Sequence, residues 1–196
     1  MKFSTVCFSA AACTAVFVLT AAAVQDKPKD PKAKAPAAEQ EMPEVKPGPE
    51  HAALAKDAGT WDATVTHTMG GTPEVSTATE VRKMVGGLWL IGDFTGKMAG
   101  KPFFGHGVNG YDPDKKKYVG VWVDTMSCTL MLTEGTMDEA TKTLHSTGKF
   151  TMDGKEMTCT MTTQNKDADN QVFTMSMPGE GGAPMMALKI EYKRRK

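Results

Sequence analysis

Apolar and polar residues alternate along much of this 196-residue chain, and a clear alternating run begins at Trp61. In this run Trp61, Ala63, Val65, His67 and Met69 share one face of an extended strand, and the other face is mostly threonine. Similar runs rich in Thr and Val recur along the chain with turn residues between them. The pattern predicts an all-β fold.

The spacing of these runs predicts ten strands. They lie near residues 60–69, 74–84, 87–97, 102–111, 116–124, 128–136, 142–150, 155–164, 170–178 and 185–195. The connections are short and contain Gly, Pro and Asp, so consecutive strands should pair antiparallel in an up-and-down meander. Closing the meander into a barrel removes its two exposed edges. One short helix is predicted over Glu50–Ala58, before the first strand.

Closure of such a barrel brings the first and last strands together. In the last strand Arg194 follows the apolar residues of one face, so its side chain should point inward. Pairing with the first strand then places Arg194 at Trp61, where the guanidinium can stack on the indole. Gly59 lets the chain turn tightly just before Trp61. We therefore expect Gly59, Trp61 and Arg194 to close one end of the barrel.

Several blocks of sequence together carry a family resemblance. They are Gly59-Thr60-Trp61, Gly87-Leu88-Trp89-Leu90-Ile91-Gly92, Pro102-Phe103-Phe104-Gly105, Gly110-Tyr111-Asp112-Pro113, Tyr118-Val119-Gly120-Val121-Trp122-Val123-Asp124, Glu134-Gly135-Thr136 and Glu191-Tyr192-Lys193-Arg194-Arg195. With these blocks the chain resembles the bacterial family catalogued as domain of unknown function 1579. The arrangement is also similar to the calycin superfamily, which includes lipocalins, fatty-acid-binding proteins and nitrobindin-like haem proteins. The resemblance implies a calycin-like barrel and leaves the activity open.

The first fifty residues differ in character from the rest. A positive charge, an apolar stretch from Val6 to Leu19 and three alanines follow the order of a secretory signal peptide over residues 1–23. Residues 24–50 are rich in proline and charge, which predicts a disordered linker. Residues 51–196 are long enough for one barrel domain. We expect an exported protein, periplasmic or extracellular, with no transmembrane segment after cleavage, although retention of the segment as an anchor stays open.

The charge of the chain bears on its partners. Its 23 basic and 23 acidic residues leave no net charge, so there is no overall field to attract nucleic acid. The Lys115-Lys116-Lys117 run follows a Tyr-Asp-Pro-Asp turn signal and predicts a solvated hairpin tip. We therefore expect no nucleic-acid partner.

Gly105-His106-Gly107-Val108-Asn109-Gly110 matches the dinucleotide-binding pattern letter for letter. Such a site needs a helix directly after the glycines, whereas Tyr111-Asp112-Pro113 and another strand follow here. Crowding at a coiled strand, or space left for a ligand, explains the glycines better. Common hydrolase, zinc-protease and redox motifs are also missing, and Asp93, Asp124 and Glu134 are expected at the barrel rim. No catalytic residue is assigned, and the chain is not predicted to be an enzyme.

The alternation of side chains along each strand predicts which residues line the barrel. His67 and His106 share faces with apolar residues and are expected inside as hydrogen-bonded histidines rather than metal or haem ligands. The other expected wall residues are large and apolar, namely Trp89, Leu90, Phe104, Trp122, Leu130, Met161 and Met175. The abundant methionines are expected to fill the core or line a pocket, without a copper site. The main hypothesis is that the barrel holds a small apolar or amphipathic molecule, with no cofactor.

Two alternatives stay open. A filled barrel could serve as a structural or interaction module at the cell envelope, and an interior histidine or carboxylate could support haem binding or a small-molecule isomerase. Both faces of the strand that begins near Gly87 are apolar, which could mean either a subunit interface or a helix packed outside the barrel.

After signal removal Cys128 and Cys159 remain, and an exported protein permits a disulfide between them. The predicted hairpin turns place Cys159 opposite Thr147, and Thr147 opposite Leu132, which is four residues from Cys128. Four residues span roughly 13 Å, whereas bridged Cα atoms lie within about 7 Å. We therefore expect no bridge.

Overall fold

The computed structural model describes residues 44–69, 72–179 and 184–196. Within these residues the chain forms one short helix and ten antiparallel strands. The predicted signal segment and most of the predicted linker lie outside the described residues. The elements are α1 (Pro49–Ala55), β1 (Gly59–Met69), β2 (Glu74–Val85), β3 (Trp89–Met98), β4 (Lys101–Asp112), β5 (Lys117–Asp124), β6 (Met131–Asp138), β7 (Thr143–Met152), β8 (Lys155–Asn165), β9 (Asn170–Pro178) and β10 (Pro184–Arg194).

Each strand pairs with its neighbours in sequence, and β1 also pairs with β10, so the sheet closes into a barrel. This confirms the predicted all-β, ten-stranded, up-and-down barrel with one short N-terminal helix. The start of β6 differs from the prediction, since β6 begins at Met131 rather than near residue 128. The residues before it form a connection instead, in which Asp124 and Ser127 accept hydrogen bonds from backbone N–H groups.

The register decides which side chains face the interior. In the β1–β10 pair, Trp61 lies opposite Arg194 and Val65 lies opposite Ile190. Because side chains alternate along a strand, Trp61, Ala63 and Val65 point inward together. These three and Ile190 belong to the main buried cluster, so the core of the barrel is built around β1 and β10.

The helix α1 packs against the barrel through one apolar residue. Leu54 contacts Leu90 and Tyr118 in a second buried cluster. The helix ends at Ala55 rather than at the predicted Ala58. The next backbone N–H groups bond to carbonyls three residues earlier, and this tighter turn leads the chain into β1.

The hairpin between β7 and β8 is tighter than predicted. Asp153 and Gly154 both have positive φ, 50° and 73°, as in a two-residue hairpin turn. The pairing register of β8 therefore differs by one residue from the expectation, and Cys159 faces Gly148. Cys159 is buried, Cys128 is exposed, and both are free thiols. The expectation of no bridge between them agrees with this arrangement.

Candidate functional site

One end of the barrel, which we call the Trp61 end, is where β1 begins and β10 finishes. The Trp61 side chain is almost wholly buried, and the Arg194 guanidinium lies 4.1 Å from its ring centre. The indole N–H donates a hydrogen bond to the Asp57 carbonyl at 2.9 Å. Arg194 donates to the carbonyls of Lys56 and Ala58 at 2.7 and 2.6 Å. These contacts tie the last strand to the segment that joins α1 and β1.

Gly59 permits this close packing. Its φ is 135°, and a Cβ at this position would lie 2.7 Å from Nη1 of Arg194. Any side chain would strain the backbone and displace the guanidinium. The structure thus brings Gly59, Trp61 and Arg194 together at one end of the barrel.

A buried polar network that the sequence reasoning missed lies beside Trp61. The Arg82 guanidinium carbon is 5.2 Å from the centre of the Trp61 ring. Arg82 donates hydrogen bonds to Glu80 and to Gln171, both at 2.9 Å. Gln171 donates in turn to Asn165 at 2.7 Å. Burial of charge is tolerated here because each charged or polar group has a partner.

Burial also shifts the ionisation of this network. Desolvation opposes the charge on Arg82, but the surrounding acidic groups, chiefly the adjacent Glu80 carboxylate, together outweigh it and raise the pKa of the guanidinium. Desolvation, reinforced by Glu80, raises the pKa of Tyr192 well above its usual value. Arg82 therefore stays charged and Tyr192 stays neutral at neutral pH, and neither exchanges a proton there.

The middle of the barrel is lined by glycines on the β4 side. A Cβ at Gly105 or Gly107 would collide with or crowd the Trp122 indole. The indole therefore packs closely along the barrel wall, and its N–H donates to Asp124 at 2.9 Å. Phe94 meets the indole edge to face, with ring centres 6.3 Å apart. An aromatic ring lying along the wall takes less central space than one that points at the axis.

Solvent reaches the interior beside these glycines. Asn109 faces inward, because it lies opposite the buried Leu90 on one side and Gly120 on the other, and yet it is exposed. Thr133 and Phe173 also face inward and are half-buried. An inward residue can be exposed only where space large enough for water adjoins it. The interior is therefore partly open rather than fully packed.

The opposite end of the barrel, which we call the His67 end, is where β1 finishes and β2 begins. His67 is 6% exposed and faces inward, opposite Leu188 and Glu74. Its Nε2 lies 3.6 Å from a carboxylate oxygen of Glu74, within ion-pair distance but long for a hydrogen bond. Its Nδ1 is buried and has no hydrogen-bond partner among the described residues. Such an atom costs free energy unless another molecule satisfies it.

The residues predicted to line the interior fall into two groups. Five of them face inward, namely His67, Leu90, Trp122, Met161 and Met175. The other four lie on the outer surface or in a loop, namely Trp89, Phe104, His106 and Leu130. The prediction that these four line the interior is therefore wrong.

For Trp89, Phe104 and His106 the error arises because β3 and β4 carry apolar residues on both faces, so alternation alone could not select the inward face. Leu130 was misplaced because β6 begins one residue after it. Phe103 is buried inside, whereas Phe104 is 53% exposed outside. The inward face of β4 is marked by its glycines, which make room for Trp122. His106 alternates with these glycines and lies outside, where its Nδ1 is 2.7 Å from an Asp93 carboxylate oxygen. The dinucleotide-like pattern lies within this strand, with no helix after it.

The three carboxylates noted in the sequence do not come together. Asp93 lies outside the barrel, whereas Asp124 faces inward. Glu134 accepts hydrogen bonds from Lys115 and Lys117 at 2.8 and 2.9 Å, which lower the pKa of its carboxyl to about 2. Across residues 44–69, 72–179 and 184–196, no three His, Cys, Asp or Glu side chains are grouped to hold a metal ion.

The closed meander and its partly open interior define a calycin-like barrel. The model of the family described as Protein of unknown function (DUF1579) matches residues 46–194. The chain therefore belongs to this family. No curated protein matches the chain.

Two solved structures illustrate the fold. The chain is similar to the crystal structure of Rv2717c from M. tuberculosis, with a TM-score of 0.59 and 14% identity, over 77% of this chain and 100% of that one. It is also similar to the S-type phycobiliprotein lyase CPES from Guillardia theta, with a TM-score of 0.54 and 11% identity, over 75% of this chain and 93% of that one. At these identities the likeness concerns the fold alone. Within the described residues, no helix has the length and apolar character needed to cross a membrane.

Proposed function

We propose that the protein binds a small apolar or amphipathic molecule inside the barrel and does not transform it. The observation that carries the proposal is the exposure of Asn109, which faces inward and therefore needs an interior that other molecules can enter. Ligand sites are typically concave and mostly apolar, with a few polar groups that orient the ligand. The barrel interior has this composition.

The interior offers two kinds of surface. Phe173, half-buried and packed against the main cluster, supplies apolar area. Asn109, Thr133 and Ser146 face inward from β4, β6 and β7 and are not fully buried, so they supply polar groups. An apolar body can remove the first surface from water while a polar group contacts the second. This division favours an amphipathic ligand.

Methionines would let the wall adapt to such a ligand. Met161 and Met175 face inward as a directly opposed pair on β8 and β9. Unbranched thioether side chains repack at low cost, so one site can accept several related shapes. We therefore expect moderate rather than strict selectivity for the apolar part of the ligand.

Export is a separate part of the proposal. It is supported by the order of charge, apolar stretch and small residues over residues 1–23, and by the proline-rich composition that follows. The structural similarity to other barrels does not identify a substrate, because one barrel architecture serves many functions. Fractionation of the native host that finds the chain in the cytoplasm at its full mass would contradict export without touching ligand binding.

Native mass spectrometry of gently purified protein, followed by titration with the dye Nile red, tests ligand binding. We expect either a retained small molecule or saturable uptake of one dye per chain. A clean apo mass together with no saturable uptake would overturn the proposal.

A matched pair of variants locates the site. Thr133→Phe adds a large side chain to the accessible interior, whereas Thr136→Phe adds the same side chain on the outer face of the same strand. Dye affinity should fall at least about tenfold in the first variant, which corresponds to a loss of about 1.4 kcal/mol in binding free energy. It should stay unchanged in the second variant. Equal effects in both variants would place the dye outside the barrel.

One observation favours a second candidate function, an interaction module that pairs with another copy of itself. Ile91, Val108, Val121 and Leu132 form a row in register across the outer faces of β3 to β6. Trp89, 42% exposed, lies beside this row. Extended exposed apolar patches commonly mark interfaces. Sedimentation velocity should then show a dimer that Leu132→Glu dissociates, and a monomer at high concentration would exclude this role.

A further inference from the structure

We infer that His67 is the polar anchor of the interior site and that the ligand presents a neutral hydrogen-bond donor, a hydroxyl or N–H group, to Nδ1 of its imidazole. The inference rests on the proposed function, because it names the chemistry of the molecule held in the same interior. It starts from a buried polar atom that the fold leaves without a partner.

The burial of His67 separates it from an ordinary surface histidine. Its side chain is 7% exposed, and Nδ1 is the buried side-chain nitrogen or oxygen that lacks a hydrogen bond among the described residues. Gln171 shows the usual outcome in this protein, since it is equally inaccessible and bonds to Arg82 and Asn165. An orphaned group of this kind calls for an explanation, and a bound molecule supplies one.

Glu74 lies near one nitrogen of the His67 imidazole and so bears on the tautomer of the neutral ring. A carboxylate only accepts hydrogen bonds, so its place near Nε2 favours the neutral tautomer with the hydrogen on Nε2. Nδ1 of His67 then carries a lone pair that none of the described residues satisfies. The group that satisfies this lone pair must donate a hydrogen.

The surroundings define the rest of the ligand. His67 lies opposite Leu188 in β10, and Leu188 lies opposite Met175 in β9, both half-buried and apolar. An alkyl or ring body can cover these side chains while its hydroxyl or N–H reaches Nδ1. An ether of the same shape accepts but cannot donate, and a carboxylate likewise only accepts. The site should therefore distinguish ligands by hydrogen-bond donation.

Displacement of Nile red by matched probes tests this chemistry at neutral pH. The probes are 1-decanol, which donates a hydrogen bond, and methyl nonyl ether, which has the same number of heavy atoms and only accepts. The full chain should bind 1-decanol about tenfold more tightly than the ether, a difference of about 1.4 kcal/mol. Decanoate should bind no more tightly than the ether.

Two histidine variants assign the preference to one atom. His67→Leu should lose the preference, so that it binds both probes with the same affinity. His145→Leu removes an exposed imidazole from β7 and should keep the full preference for 1-decanol. A preference that persists in His67→Leu would overturn the anchor.

The outcomes separate the anchor from the proposed function. If neither the dye nor either probe binds, interior ligand binding fails; if both probes bind the wild-type chain equally, the anchor alone fails. A second measurement needs no variant: 15N NMR of the His67 imidazole should show hydrogen on Nε2, and Nδ1 should shift when 1-decanol is added. Hydrogen on Nδ1, or no shift on saturation with 1-decanol, would overturn the anchor.

Discussion

The Trp61 end and the His67 end of the barrel differ in whether their buried polar groups have hydrogen-bond partners. At the Trp61 end, Arg82 and Gln171 are buried and each bonds to several partners. At the His67 end, Nδ1 of His67 is buried and bonds to none of the described residues. A satisfied buried network fixes one packing arrangement, whereas an orphaned acceptor leaves a place for another molecule. We therefore expect the Trp61 end to contribute mainly to stability, and we propose that the His67 end contributes to ligand recognition.

The largest effect should come from breaking the ion pair at the Trp61 end. Arg82→Leu leaves the Glu80 carboxylate buried without its cation, and the free energy of unfolding should fall by about 3 to 5 kcal/mol. Urea denaturation measures the loss. Adding Glu80→Leu to the first variant should recover part of it, because the unpaired charge is then gone. A loss below about 1 kcal/mol would show that the pair does not hold this end together.

A smaller loss is expected from the outer contact on the same tryptophan. Arg194→Leu removes the stacking on Trp61 and the hydrogen bonds to three backbone carbonyls, which should lower the free energy of unfolding by about 1 to 3 kcal/mol. The neighbouring Arg195→Leu is the control, since Arg195 pairs with Asp62 on the exposed surface and its loss should lower the free energy of unfolding much less. Equal losses in urea denaturation would contradict the closure.

Replacing one buried polar residue with leucine at each end tests this difference directly. Gln171→Leu deprives Arg82 and Asn165 of their partner and should destabilise the fold by about 1 to 3 kcal/mol. His67→Leu removes Nδ1, which has no partner, and only a long contact between Nε2 and Glu74, so stability without ligand should change by less than about 1 kcal/mol, in either direction. Thermal and urea unfolding of the two variants give the measurement. A large loss in His67→Leu would mean that its role is structural.

The smallest effect concerns acid stability and lies outside both ends. Glu134 bonds to Lys115 and Lys117, and its folded pKa of about 2 lies below the ordinary value of 4.5. Its contribution is therefore complete above pH 4.5 and is lost as the pH falls through about 2. Glu134→Gln should flatten the pH dependence of unfolding in this window. Replacing both lysines with methionine should have the same effect, and an unchanged slope in either variant would refute the assignment.

The alternation of side chains predicted the inward face of a strand correctly where one face was apolar and the other polar. In β1 the inward residues Trp61, Val65 and His67 alternate with threonines, and the observed burial follows that alternation. In β4 both faces are apolar, and the choice between Phe103 and Phe104 depended on where the Trp122 ring packs. The inward face of β4 therefore depends on the space between neighbouring strands, and the sequence of one strand alone does not show that space.

The buried network was missed for a related reason. Glu80 and Arg82 occupy inward positions of β2, but charged residues are usually exposed, so their charge outweighed their parity. Their burial is stable because Gln171 and Trp61 come from distant strands to meet them. A partner separated by most of the chain leaves no local signal.

The architecture of this protein follows from its sequence alone. Alternation, turn residues and the pairing of Trp61 with Arg194 are local or terminal features, so the ten strands and their closure follow from hydrophobic periodicity and the need to bury edges. Which buried polar groups find hydrogen-bond partners depends instead on how the strands pack together. Whether a buried polar atom has a hydrogen-bond partner depends on atoms that different strands bring together. For this reason only the closed barrel distinguishes His67, the candidate anchor, from His106 on the outer surface.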